Sequence, residues 1–120
     1  MRSQIYQAEE RWDGVVKVAN TLVKQEPNLP TGWILRSYAL HELRRTKEAY
    51  DLLVPAADKF PKRPVIFYNL ACYACQLGQL KEAMQRLQRA IEVSGKKMQI
   101  QLDALEDPDL QPLWDKIGEL

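Results

Sequence analysis

The chain resembles itself when slid along by 34 residues. Trp33 then falls on Phe67, Ser37 on Ala71, Leu40 on Ala74, Glu48 on Glu82, Ala49 on Ala83, Leu53 on Leu87 and Ala56 on Ala90. Such a period marks one supersecondary unit used repeatedly, because a lone unit cannot bury its own apolar face. Within each period the apolar residues recur three and four apart, which is helical spacing. Pro64 suits the first turn of a helix, where its missing N–H costs nothing, and Gly78 suits the stop. "QLKEAMQRLQRAIEV" then starts a second helix, with Leu80, Ala83, Met84, Leu87, Ala90 and Ile91 on one stripe. Ser37, Ala49, Ala71 and Ala83 are small where two helices must cross closely.

The period and its residues resemble the tetratricopeptide repeat, W-x2-L-G-x2-Y, then A-x3-F, then P. One unit reads Trp33-x2-Arg36-Ser37-x2-Leu40, Ala49-x3-Leu53, Pro61; the next reads Phe67-x2-Leu70-Ala71-x2-Ala74, Ala83-x3-Leu87, with Gly95 in place of the proline. One period earlier, Ser3-x2-Tyr6, Val15-x3-Ala19 and Pro27 form a unit without the start of its first helix. The resemblance implies an all-α, right-handed superhelix of two and a half to three helical hairpins. Residues 1–29 would be an incomplete repeat, 30–63 and 64–97 full repeats, and 98–120 a terminal cap, all in one domain.

Local departures sharpen these expectations. Arg36 stands where an apolar residue is usual, so its stem should be buried and its charge wet. Pro55 falls inside the helix expected from Lys47 to Phe60 and predicts a kink. Asp13 can cap a helix running toward Lys24. After Gly95, Met98, Ile100, Leu102 and Leu105 are expected to cover the open end of the stack. Asp107 then caps a restart with Pro108 in its first turn, and Trp114 and Ile117 are available to pack.

Charge and composition remove whole classes of function. Seventeen basic and sixteen acidic residues leave a net charge of +1, with no long-range pull on nucleic acid or anionic lipid. Arg44, Arg45 and Lys47, and likewise Lys59, Lys62 and Arg63, sit at turns beside Glu42, Glu48 and Asp58, a solvated edge rather than an RNA-binding stripe. No apolar run approaches the roughly 20 residues of a membrane span, and the N-terminus lacks a secretory h-region. A cytoplasmic location is expected.

The two cysteines, Cys72 and Cys75, form a CxxC. A redox CxxC needs a sulfur at a helix N-terminus after a strand, whereas these fall mid-helix. A structural zinc site needs four ligands, and His41 is the one histidine of the chain. His41 is related to Cys75 by the 34-residue shift, which makes a three-ligand set of His41, Cys72 and Cys75 imaginable but short of a fourth ligand. Reduced, semi-buried thiols are the expectation, with no metal and no cofactor. No nucleophile elbow, phosphate loop or dinucleotide fingerprint occurs, so no enzyme is expected.

The resemblance implies instead a concave binding surface lined by first helices. In the second unit its matching places are Thr31, Ile34, Leu35, Tyr38, His41 and Glu42. In the third they are Val65, Tyr68, Asn69, Cys72, Cys75 and Gln76; in the first, Gln4, Gln7 and Ala8. Some family members clamp acidic peptide termini with lysine, asparagine and arginine, of which only Asn69 has a counterpart here. An extended or helical peptide with apolar anchors suits this surface better. Three readings follow: a scaffold docking a partner's peptide segment, a self-association module, or a metal or redox protein using Cys72, Cys75 and His41.

Overall fold

The computed structural model describes the backbone of residues 4–120 and the side chains of residues 8–120. All regular structure among the described residues is helical, as the spacing predicted. Among the described residues no helix is long and apolar enough to cross a membrane. The chain divides into two compact units, Met1–Lys59 and Phe60–Leu120.

The first unit holds α1 (Gln4–Gln25), α2 (Pro30–Glu42) and α3 (Thr46–Lys59), with α2 packed against both neighbours. Helix α1 runs without a break through Asp13 and Gly14, so Asp13 caps nothing. A mid-helix glycine costs only about 1 kcal/mol relative to alanine, and 22 residues of helix absorb it. The expected remnant of a hairpin is therefore one long helix. Ser3, and the side chains of Gln4, Tyr6 and Gln7, lie outside the described residues.

Helix α2 comes very close to α1 at Gly32. A Cβ there would lie 2.9 Å from Leu22 Cβ and 3.1 Å from the backbone nitrogen of Val23. Helix α2 also packs against α3; Ser37 and Leu40 are buried on α2, and Ala49, Leu53 and Ala56 on α3. The Ser37 hydroxyl spends its hydrogen on the Ile34 carbonyl at 2.9 Å, so a polar group enters the core satisfied.

Arg36 meets its expectation in part. Its guanidinium donates to Asn20 Oδ1 on α1 at 3.4 Å and to the Leu52 carbonyl on α3 at 3.3 Å, and lies 5.3 Å from the Trp33 ring centre. Its Nε is buried without a partner, and burial lowers its pKa from the ordinary arginine value. The charged head thus bridges α1 and α3 at the edge of the three-helix packing, still partly in water. Pro55 stays within α3 on its exposed side. Lacking an N–H, it leaves the Asp51 carbonyl without its helical donor, and Arg36 binds the adjacent carbonyl.

The second unit holds α4 (Pro64–Gln76), α5 (Leu80–Ser94), α6 (Lys97–Leu105), a 3₁₀ turn (Pro108–Leu113) and the short α7 (Trp114–Ile117). Helices α4 and α5 repeat α2 and α3 at the 34-residue offset, down to single hydrogen bonds. Arg45 N–H donates to the Leu40 carbonyl at 2.9 Å, as Gln79 N–H does to that of Ala74. Arg44 N–H reaches His41 O at 2.9 Å and Gly78 N–H reaches Cys75 O at 3.0 Å. Both turns need a left-handed residue, φ 65° at Arg44 and 79° at Gly78. Gly95, at φ 67°, ends α5 with its N–H on Ile91 O.

The terminal segment packs differently from its sequence reading. Met98, Leu102 and Leu105 are exposed and Ile100 is only half-buried. The core is filled instead by Ala104, Leu110 and Leu113, together with Ile117 as expected, all fully buried or nearly so. Asp107 does cap the restart, accepting from Asp109 N–H at 3.0 Å with Pro108 next, but the turn is 3₁₀ rather than α. The indole N–H of Trp114 is shared between the carbonyls of Ala104 at 2.9 Å and Asp107 at 3.2 Å, pinning the turn to the end of α6.

Candidate functional site

Two helix faces carry the residues singled out from sequence, one in each unit. On α2, Leu35 and Tyr38 are exposed and Ile34 is half-buried. Tyr38 is 45% exposed, and its ring meets Trp12 of α1 edge-on at 5.5 Å and 68°. This contact holds the ring while leaving much of the side chain at the surface. Trp12 was not singled out from sequence; its place in a charged, solvated stretch hid it. His41 is half-buried and shares a 2.9 Å hydrogen bond between Nδ1 and Thr46 Oγ1, across the α2–α3 turn.

On α4 the residues Tyr68, Cys72 and Gln76 follow one another at four-residue spacing and so share one side. The chain itself covers that side. The Tyr68 hydroxyl donates to Asp107 Oδ2 at 2.9 Å, the Cys72 thiol approaches the same oxygen at 3.6 Å, and Gln76 Nε2 donates to the Asp109 carbonyl at 2.8 Å. Asp107 therefore caps its own turn with one carboxylate oxygen and holds α4 with the other. Asn69 is half-buried, and Cys75 is buried. Sequence reasoning found Asp107 as a cap and missed its second role, which spans 39 residues of chain.

Electrostatics follow from this arrangement. Burial pushes the Cys72 thiol upward, and the charges of Asp107 and Asp109 push it further. The Cys75 thiol rises for the same reasons, burial first. Tyr68 rises through burial, then through Cys72 and Asp107. Both sulfurs are thus held as protonated thiols, poor nucleophiles and poor ligands. Among the described residues, Cys72, Asp107 and Asp109 form a group of metal-ligand type, their donor atoms all within 4.8 Å of one another. Holding a cation there would require the thiol proton to leave and the bond from Tyr68 to Asp107 to loosen. Cys75 stands outside the group, and His41 belongs to the first unit with Thr46 on its Nδ1.

The α4 face stays open at its N-terminal end. Pro64, Val65 and Tyr68 with Ile100 and Asp103 of α6 line a cleft of about 430 Å³, apolar on its walls. Val65, named from sequence, is exposed there; Ile100 and Asp103 were not foreseen as its opposite wall. The cleft has room for one or two apolar side chains, with a phenol and a carboxylate at its rim. Among the described residues, three surface cations are paired with acids close by in the chain, Arg45 with Glu48 at 2.8 Å, Lys47 with Asp51 at 2.8 Å and Arg89 with Glu92 at 3.1 Å. Neither models of known protein families nor curated proteins match this chain.

Proposed function

We propose that this chain is a tetratricopeptide-type helical-repeat module that docks a peptide segment of another protein. Tyr38 carries the reading: an aromatic ring 45% exposed, held edge-on by Trp12 and flanked by exposed Leu35 on the first helix of a repeated hairpin. Rigid, amphipathic aromatic area of this kind contributes contact at low entropic cost. The cleft at Val65 offers a second anchor point for an apolar side chain. An extended or helical peptide with apolar anchors is the ligand chemistry. The weak net charge of +1 favours a protein ligand over a nucleic acid.

A binding role is favoured over catalysis or redox chemistry because the thiols are buried and pushed toward their protonated form. The test is selection of a displayed random-peptide library on the purified chain and on Tyr38→Ala and Leu35→Ser variants. Enrichment of an apolar-anchored motif by the parent, lost in both variants with unchanged helical circular dichroism, is expected. No enrichment, or the same motif retained by both variants, rejects the α2 face as the site.

A further inference from the structure

Helix α6 turns its bulkiest apolar side chains outward. Met98, Leu102 and Leu105 are 71%, 59% and 42% exposed, while Ala104 on the opposite side is fully buried. Their spacing of four and then three residues places them on one stripe along the helix. The charges of α6 also run against its own dipole. Lys96 and Lys97 stand at its N-terminal end and Asp103 and Glu106 at its C-terminal end, with no acidic residue in the first turn and no basic one in the last. Each end is the wrong sign for an isolated helix, which favours anions at its start and cations at its finish.

One kind of neighbour corrects both ends together: an antiparallel helix with an apolar stripe and charges distributed the same way. The α6 of a second copy meets that description. We propose that the α6 stripe is a homodimer contact, two copies pairing antiparallel about a two-fold axis. Leu102 lies beside Leu102 of the second copy at the axis, and Met98 lies level with Leu105 of the second copy. The lysine end of each helix then stands beside the acidic end of the other. The contact is isologous and closes at two copies. Three apolar side chains from each copy place it at the small, transient end of protein interfaces, so the dimer forms only at high protein concentration. It uses neither Tyr38 nor Leu35, so it stands or falls separately from the peptide-binding reading.

Sedimentation velocity of the intact chain from about 5 to 500 µM should show a monomer passing into a dimer. Leu102→Glu, at an exposed position that leaves folding intact, should stay monomeric throughout. The opposite-sign ends attract through solvent rather than as a direct pair, so raising the salt concentration should weaken the dimer. Direction is read separately, by mixing chains carrying Met98→Cys with chains carrying Leu105→Cys under mild oxidation by glutathione disulfide. A mixed disulfide is expected. A monomer at every concentration, a dimer indifferent to Leu102→Glu, or disulfides only between identical chains would each overturn the proposal.

Discussion

The hairpins α2–α3 and α4–α5 are built on one plan 34 residues apart, yet they finish differently. Their turns share hydrogen bonds and left-handed residues, and their crossing points share Ala49 with Ala83 and Leu53 with Leu87. They part where each meets its other neighbour. At one position of the plan α2 has Gly32, pressed against Leu22, while α4 has the fully buried Ile66. The side of α4 bearing Tyr68, Cys72 and Gln76 is sealed by Asp107 and Asp109, whereas α2 keeps Tyr38 and Leu35 at the surface. Even the shared aromatic shelf is served differently: Arg36 of the same helix covers Trp33, and Arg89 of the following helix covers Phe67 at 5.7 Å. A repeat fixes the hairpin; what covers its faces is decided case by case.

The comparison can be broken most sharply in the shared core. Leu53→Ala and Leu87→Ala should each cost about 2–5 kcal/mol and should do so to a similar degree. Chemical denaturation showing one of them nearly neutral would mean that the two hairpins are not equivalent in packing. Next comes the place where they differ. Gly32→Ala should cost about 1–3 kcal/mol, because the backbone of α1 must shift to admit a methyl group; a variant as stable as the parent removes the close approach.

Sealing of α4 is tested by Asp107→Ala, which removes a cap and the acceptor for Tyr68 and Cys72, a loss of about 2 kcal/mol. Amide hydrogen exchange should quicken in α4 and the 3₁₀ turn while α1 to α3 keep their rates. The turns themselves give a smaller effect of opposite sign. Arg44→Gly should stabilise by about 1 kcal/mol by removing a side chain from a left-handed position, and Gly78→Ala should destabilise by about as much. Thermal midpoints read both.

The weakest effect is alkaline. The folded Cys72 thiol titrates above its unfolded value, so its contribution is complete below about pH 8.5, the pKa of a free thiol. As pH rises further the unfolded chain releases the proton first and stability falls, by under about 1 kcal/mol at pH 9. Cys72→Ser should flatten that decline between pH 8 and 9.5. An unchanged slope would mean that Cys72 does not set it.

How far the sequence could be read follows from these same residues. The hairpin plan was legible because each copy needs small residues at its crossings and helix punctuation at its turns, which leaves Ser37 with Ala71 and Ala49 with Ala83 visible at fixed spacing. The unbroken α1 was not legible: Asp13 and Gly14 look like a helix start, but packing along a long helix outweighs a local preference worth about 1 kcal/mol. The tail was misread for a related reason. Hydrophobicity marked Met98, Leu102 and Leu105 as its core, yet the space available takes Ala104 and Leu110. Contacts such as Tyr68 to Asp107 join residues far apart in the chain and leave no periodic trace. Of the residues expected to line a groove, Ile34 and Tyr38 remain on a partly open face, while Tyr68, Cys72 and Gln76 are met by the chain's own tail.

Trp114 has a practical consequence. Of the three tryptophans in the sequence, Trp12 and Trp33 belong to the first unit and Trp114 alone to the second. Replacing the first two by phenylalanine would leave a single indole emitting from the pinned end of α6. Its fluorescence during heating would then report the melting of one unit in isolation, and a second optical channel would show whether the other lets go at the same temperature.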